Sequence, residues 1–132
     1  MLKINRGSEK TVITIPFTKY VLKVYNHKSE QWYNEKALYR VLKEELNIVP
    51  KTLFFNHFAI QEKCDSLNVS EGDVILNQCE NVLEYLCKHS NYFVDMDAFL
   101  ESFKFIYKDE ILYSVDNIGV LNNKVVIIDF GL

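Results

Sequence analysis

The sequence contains few of the residues that break a chain or cross-link it. Its 132 residues include two prolines, four glycines and three cysteines. Collagen-like repeats and low-complexity linkers are therefore excluded. The odd number of cysteines, with no CxxC pair and no histidine close enough to complete a ligand pattern, indicates neither a disulfide framework nor a zinc site. We expect reduced cysteines in or near the core.

The sequence also lacks an excess of positive charge and a long apolar run. The formal net charge is −3, with lysines and arginines scattered among acidic residues, which gives little electrostatic support for nucleic-acid binding. No apolar run approaches about 18 residues, and the first ten residues, MLKINRGSEK, lack the apolar stretch of a secretory signal. We expect a cytoplasmic protein with neither nucleic-acid nor membrane partners.

Apolar residues are plentiful and follow recognisable periods. They make up 48% of the chain, and aromatic residues make up 14%, which is typical of a globular protein with one core. β-rich runs at 11–15 and 19–25 flank Pro16, which favours a bend, so the pattern predicts a hairpin. A second hairpin is predicted from runs at 53–55 and 58–61 around an Asn-His turn.

Between the two hairpins the period becomes helical. Apolar residues recur three and four apart over about 30–46, with Ser29 as the N-cap and Asn47 as an acceptable end. After the second hairpin, the polar stretch CDSLNVSEGD (64–73) reads as a connector that belongs to neither core.

The second half of the chain has two further helical patterns and a last hairpin. The helices are predicted over 74–89 and 96–108, the second capped by Asp95 or Asp97. The hairpin joins strands at 118–121 and 124–129 through Asn122-Asn123, a pair that tolerates positive φ.

This order of elements resembles the first half of a protein kinase. The chain is similar to the protein-kinase-like superfamily, and most of all to the very short kinase-like proteins of some phages and bacteria. The resemblance implies an α+β class and a minimal kinase-like fold in one domain, 1–132. Residues 1–62 would form an N-lobe-like sheet and helix, and 67–132 a truncated C-lobe-like part with two helices and a hairpin.

The motif NIGVLNNKVVIIDFG carries most of the resemblance. In the family, an asparagine and the DFG aspartate at about this separation hold the metal ion that bridges the nucleotide phosphates. The resemblance therefore implies Asn117 and Asp129 as metal ligands, with ATP and Mg²⁺ as cofactors. The alternative is a hairpin whose last residues form a surface turn.

Two further segments resemble nucleotide-binding parts of the family. Lys23 in YVLKVY is similar to the strand lysine that reaches the phosphates, and Glu35, or failing it Glu30, would hold that lysine in place. FAIQEKCD resembles the strand and hinge beside the adenine ring. There Gln61 would limit the depth of the pocket, and Glu62 to Cys64 would offer backbone groups. An ordinary strand lysine and a strand running into a loop are the alternatives.

Other segments depart from the family pattern. The phosphate-covering loop has Gly7 as its single glycine, so its grip on phosphate should be weaker. Where the family places its catalytic aspartate, five residues before Asn117, stands Leu112, and Asp116 is the candidate substitute. General-base assistance contributes about 10²- to 10⁴-fold, so its loss predicts a poor enzyme that still binds nucleotide.

The resemblance stops at the DFG segment, which predicts an uncovered helix face. That face would be formed by Phe99, Phe103, Ile106 and Tyr107, and exposed apolar patches of this kind mark interfaces. We therefore expect a protein partner or self-association through it, unless the helices repack into a closed lobe.

The leading hypothesis is a degenerate kinase-like protein, or pseudokinase, that acts mainly by binding a nucleotide, a protein partner or both, with weak or no phosphotransfer. One alternative is an active serine/threonine-type kinase or small-molecule phosphotransferase that uses Lys23 and Asp116 as catalytic residues. The other is a regulatory interaction protein that binds no nucleotide.

Overall fold

The computed structural model describes residues 3–6, 10–26 and 30–130, and these residues form two antiparallel sheets with short helices. The five-stranded sheet has the order β1-β2-β3-β5-β4. Its strands are β1 (Lys3–Arg6), β2 (Lys10–Thr14), β3 (Tyr20–Tyr25), β4 (Thr52–Phe55) and β5 (Phe58–Glu62). The three-stranded sheet, in the order β6-β7-β8, consists of β6 (Asp65–Ser66), β7 (Ile118–Leu121) and β8 (Lys124–Ile127). The predicted α+β class is confirmed.

Both predicted hairpins of the first half are present. β2 pairs with β3 so that Val12 lies opposite Lys23, and β4 pairs with β5. The turn that joins β4 and β5 contains His57, whose φ of 63° fits the predicted Asn-His turn. β3 also pairs with β5, which places the lysine-bearing strand in the middle of the sheet.

The predicted first helix is also present, with an irregular second half. Helix α1 (Gln31–Tyr39) continues directly into a π-helical segment, Arg40–Glu45. There the Leu46 amide donates to the Val41 carbonyl at 3.1 Å, a spacing of one residue more than in an α-helix. Asn47, with φ 52°, ends the segment as expected. The proposed cap, Ser29, lies outside the described residues.

The connector prediction for 64–73 was wrong. Asp65 and Ser66 form β6 and pair with Val120 and Gly119 of β7. Ser70 then opens helix α2 (Glu71–Leu76) through a capping box with Asp73. Sequence analysis missed both elements because their residues are polar. β6 is exposed, and the capping box itself is made of polar side chains.

Where the sequence predicted two long helices in the second half, the structure has four short ones. The first pattern is divided into α2 and α3 (Val82–His89), because the chain turns at Gln78 (φ 56°) and Asn81 starts a new helix as its N-cap. The second pattern contains α4 (Met96–Ser102), capped by Asp95 as expected, and then a turn before α5 (Lys108–Leu112).

The last hairpin forms, although β8 ends at Ile127 and not at the predicted residue 129. Leu121 pairs with Lys124 across a two-residue turn in which Asn122 and Asn123 both have positive φ, 51° and 64°. Two such residues give a turn whose twist matches that of the strands. The buried residues of β7 and β8 pack against the π-helical segment after α1 and against α3, α4 and α5. Together they form one core, which includes Leu42, Leu86, Phe99, Ile111 and Ile127.

The prediction of an uncovered helix face was largely wrong. Phe99 and Ile106 are buried in the core, and Phe103 packs against it. The helices close over these side chains, and Tyr107 of the predicted set remains exposed. In the described part of the chain, none of the helices has the length and apolar character needed to cross a membrane.

Candidate functional site

A cleft of about 670 Å³ separates the five-stranded sheet from the three-stranded sheet. Val12, Thr14 and Val21 line one wall, and Asp116, Ile128 and Asp129 line the other. The segment 61–64 closes one end, where β5 leads into β6. The cleft thus lies where the two halves of the chain meet.

Strand alternation explains which residues of β2 and β3 reach the cleft. Side chains on one face of a strand lie two residues apart, and cross-strand partners share a face. Val12 is paired with Lys23, and Thr14 with Val21. These four side chains therefore share one face of the sheet, and all of them line the cleft.

Lys23 and Glu35 form a buried ion pair at the inner end of the cleft. Lys23 Nζ lies 3.0 Å from Glu35 Oε1 and 3.1 Å from Oε2. The exposed fractions of the two side chains are 2% and 0%. Burial lowers the pKa of Lys23, while the nearby carboxylate of Glu35 opposes that shift. Glu30, the fallback partner, is exposed at the N-cap of α1.

Glu35 has a second donor in Tyr25, whose hydroxyl donates to Glu35 Oε2. Burial and the adjacent carboxylate raise the pKa of Tyr25 far above its usual value, so this hydroxyl keeps its proton. A neutral phenol and an ammonium group thus satisfy the same carboxylate. This arrangement fixes α1 against β3.

Lys23 also contacts the segment that follows β8. Its Nζ donates to the Ile128 carbonyl at 3.1 Å and lies 3.6 Å from Asp129 Oδ1. The Ile128 amide donates to the Asn117 carbonyl at 2.9 Å, which anchors this segment to the residue before β7. The amine and the Asp129 carboxylate, separated by 106 positions (129 − 23) in the chain, therefore meet at one cleft.

Lys10 is a site residue that the sequence prediction missed. Its ammonium group is hydrogen-bonded to Asp129 Oδ1 and lies 3.6 Å from Glu35 Oε1 and 3.4 Å from Gln31 Oε1. The available signal was alternation, since Lys10 is two residues before Val12 and therefore shares its face. The predicted strand began at residue 11 and left it out.

The segment predicted to meet a purine ring is present, and several of its groups are already engaged. Gln61 is buried, and its amide donates to Thr52 Oγ1 at 3.3 Å and to the Ile128 carbonyl at 3.5 Å. The Glu62 amide donates to the Lys51 carbonyl, and the Lys63 amide to the Lys19 carbonyl. These two amides are therefore not donors for a ligand.

Cys64 lies at the same end of the cleft. Its thiol is half-buried, and its Sγ lies 3.7 Å from the Glu62 carbonyl. Burial, reinforced by the carboxylates of Glu62 and Asp65, raises the pKa of the Cys64 thiol to about 12. At neutral pH this side chain is an uncharged, weakly polar part of the cleft wall.

Asp116 and Asn117 are adjacent in the chain, but their side chains have different surroundings. They lie in a short 3₁₀ turn, Val115–Asn117, just before β7. The Asp116 side chain is exposed and lines the cleft. Asn117 is buried, is not among the described residues that line the cleft, and donates its amide to the Glu110 carbonyl at 2.9 Å.

The described side chains do not by themselves form a site for a resident Mg²⁺ ion. Mg²⁺ requires several oxygen ligands in near-octahedral geometry. Asp129 is the carboxylate best placed for it, yet the Lys10 ammonium group is hydrogen-bonded to that carboxylate. The side-chain amide of Asn117 is hydrogen-bonded to the Glu110 carbonyl. Within the described ranges, no group of three or more histidine, cysteine or acidic residues could hold a metal ion. Gly7, the single glycine of the predicted phosphate loop, lies outside those ranges.

Comparison with solved structures matches 99% of this chain to the aminoglycoside phosphotransferase APH(2″)-IIa, solved in a ternary complex with streptomycin and ATP. The TM-score is 0.56 and the sequence identity is 17%. The chain has a protein-kinase-like fold. It spans 65% of the length of APH(2″)-IIa, so the match carries the fold alone. No protein-family model matches the chain, and no curated protein matches it.

The cleft described above lies between the five-stranded and the three-stranded sheet of this fold. It brings Lys23, Glu35 and Asp129 together, with Asp116 on the same wall as Asp129. It does not bring the Asn117 side chain to that wall. Lys10 joins the cluster from β2.

Proposed function

We propose that the cleft binds a nucleoside triphosphate, and that the protein acts mainly through this binding with slow or absent phosphotransfer. The observation that carries the proposal is the buried Lys23–Glu35 pair, whose ammonium group lies within 3.6 Å of Asp129 at the wall of a 670 Å³ cleft. The ATP complex of APH(2″)-IIa, which shares the fold, is consistent with it.

The energetics of the pair favour a functional role. Removing two charged groups from water is costly, and well-packed apolar residues of similar size often serve stability as well or better. A buried pair at the wall of a cleft is therefore better explained by a ligand that uses the ammonium group. Asp129, 26% exposed, lies 3.6 Å from that group.

The apolar walls of the cleft suit a flat, mostly apolar ring. Val12 and Val21 of the five-stranded sheet line one side, and Ile128 lines the opposite side. Ligand pockets are typically about 300 to 1,000 Å³ and combine apolar walls with a few polar groups. A nucleoside triphosphate fits this combination of apolar walls and charged groups, with its base between the apolar side chains and its phosphates toward Lys23.

Slow transfer follows from the same geometry. Phosphoryl transfer depends on positioning and on stabilisation of the charge that develops on the phosphate oxygens. The described side chains do not provide a metal site for that task. Asp116 is exposed, and none of the hydrogen bonds found among the described residues fixes its side chain. A bound nucleotide would therefore react slowly.

Calorimetric titration with ATP tests the binding, in buffers with EDTA and with MgCl₂. The wild type should bind ATP in at least one buffer. The double variant Lys23→Met/Glu35→Gln, which removes both charges together, should bind at least about tenfold more weakly, since a charge-assisted hydrogen bond is lost. Lys19→Gln, at an exposed turn lysine, is the control and should bind normally. No binding by the wild type in either buffer contradicts the proposal.

The runner-up function is an active phosphotransferase with Asp116 as the general base. It is favoured by the position of Asp116 on the same cleft wall as Asp129. Incubation with labelled ATP separates the two functions. Label that is transferred to a protein or small-molecule acceptor, or to the chain itself, and is lost in Asp116→Asn would support the enzyme, provided that ATP still binds to the variant.

A further inference from the structure

Lys10 lies against the Asp129 carboxylate, at the position where a cation would neutralise that carboxylate beside a bound phosphate. Its ammonium group is bonded to Asp129 Oδ1, and its side chain is 12% exposed, against 26% for Asp129. Glu35 Oε1 lies 3.6 Å from the same ammonium group. Lys10 therefore contacts both carboxylates of the cluster.

The sheet register explains how two lysines reach one point. Lys10 is paired with Tyr25, and Val12 with Lys23, on adjacent strands. Lys10 and Lys23 therefore lie on the same face of the sheet, at diagonal positions that long side chains can bridge. Each ammonium group lies within 5.9 Å of the centre of the Tyr25 ring, so this ring lies beside both of them.

The charges of the cluster balance without any bound ion. The ion pairs found among its described residues join two ammonium groups, Lys10 and Lys23, to two carboxylates, Glu35 and Asp129. A polyphosphate that approached an isolated Asp129 would be repelled. With Lys10 against that carboxylate, an incoming phosphate oxygen meets an ammonium group instead.

We propose that Lys10 is a tethered cation that lets the cleft bind the polyphosphate chain of a nucleotide without a divalent metal. A divalent cation placed between a carboxylate and a phosphate neutralises the repulsion between them, and Lys10 is positioned to do the same at Asp129. Its flexible four-carbon stem allows the ammonium group to contact phosphate and carboxylate together. This inference rests on the proposed nucleotide function and adds that nucleotide binding does not depend on a divalent metal ion.

Titration of the wild type, Lys10→Gln and Lys10→Arg with ATP tests the proposal, first in EDTA and then in MgCl₂. In EDTA the wild type should bind ATP within about threefold of its affinity in MgCl₂. Lys10→Gln should bind at least about tenfold more weakly in EDTA, because it lacks the charge-assisted contact. Lys10→Arg keeps the charge and should bind like the wild type. Circular dichroism melting of each variant checks that it is folded.

Two results would overturn the inference: wild-type binding of ATP that requires MgCl₂, or Lys10→Gln binding as tightly as the wild type in EDTA. Inorganic triphosphate, which lacks the base and the sugar, separates this failure from failure of the nucleotide function. If triphosphate binds in EDTA through Lys10 while ATP binds in neither buffer, the nucleotide proposal fails and Lys10 still serves as the cation for a polyphosphate. If neither compound binds in EDTA, Lys10 does not replace a metal.

Discussion

Lys23 Nζ lies 3.0 Å from Glu35 Oε1 at a place where neither side chain reaches solvent. β3 carries the lysine and α1 carries the glutamate, so the pair joins helix to sheet directly beneath the cleft. The same ammonium group donates to the Ile128 carbonyl, which belongs to the other half of the chain. One ion pair thus connects the helix, the central strand and the segment that contains Asp129.

Breaking this pair on one side should be costly. Lys23→Met or Glu35→Gln alone should lower the free energy of unfolding by up to about 3 to 5 kcal/mol, because each leaves a buried charge without its nearest partner. The double variant Lys23→Met/Glu35→Gln should recover part of that loss, since the amide oxygen of the introduced glutamine can still accept a hydrogen bond from the Tyr25 hydroxyl.

Urea denaturation of the four proteins gives the coupling energy of the pair. Additive losses would contradict the prediction, because they would mean that the two side chains do not depend on each other. Lys88→Met at the exposed pair with Glu84 is a suitable comparison. It should change stability far less than either buried single variant does, since exposed pairs contribute little.

Gly119 allows β7 to approach the cleft wall closely. A Cβ atom there would lie 3.0 Å from Cys64 Cβ and 3.2 Å from Ile128 Cγ2, and both neighbours line the cleft. Gly119→Ala should therefore lower the free energy of unfolding by about 1 to 3 kcal/mol through overpacking. It should also weaken ATP binding, because the cleft wall must move.

Gly72→Ala is the matched control for that substitution. The nearest atom to its added Cβ would be Ser70 Oγ at an ordinary 3.5 Å, and the residue lies in α2. Alanine is favoured over glycine in a helix by up to about 1 kcal/mol, so this variant should be as stable as the wild type or more so. Equal stability losses in the two variants would contradict the packing argument.

The Cys64 thiol should react slowly at neutral pH. Its pKa is raised to about 12 by burial and by two neighbouring carboxylates, and the thiolate is the reactive form. Below that value the group stays protonated, so alkylation by iodoacetamide should be slow at pH 8 and should accelerate as the pH rises. Mass spectrometry of each cysteine measures this, with exposed Cys87 as the internal reference. Modification of Cys64 as fast as Cys87 at pH 8 would contradict it.

Local patterns predicted much of this fold because they reflect local physics. The Asn122-Asn123 turn follows from tolerance of positive φ, and the hairpins follow from alternation and turn residues. Glu35 was identified from its place on the inner face of a helix after the Lys23 strand. Its contact with Lys23 depends on nothing beyond the register of α1 against β3.

The parts that sequence reasoning missed depend on tertiary contacts. Lys10 acquires its role only when β2 pairs with β3 and the distant residue Asp129 arrives beneath both strands. The break at Gln78 interrupts an apolar period that continues through it. The family resemblance implied a metal-binding role for Asn117, and sequence reasoning did not foresee the backbone partner that the position of α5 gives to its amide.

The contact between Asn117 and Glu110 predicts a structural role for this asparagine. Its amide donates to the Glu110 carbonyl at 2.9 Å, which holds α5 against the turn before β7. Asn117→Ala should lower the free energy of unfolding by about 1 kcal/mol, the usual net value of one hydrogen bond. Because the side chain does not line the cleft, ATP affinity in EDTA should stay within about threefold of the wild type.

Asn68→Ala, at an exposed asparagine between β6 and α2, controls for the loss of an amide and should alter neither quantity. Urea denaturation and calorimetric titration measure the two effects separately. The opposite pattern, unchanged stability with ATP binding lost in MgCl₂, would mean that Asn117 turns toward the cleft and serves as a metal ligand. That result would also weaken the role of Lys10, because a cleft with two oxygen ligands for Mg²⁺ has less need of a tethered ammonium group.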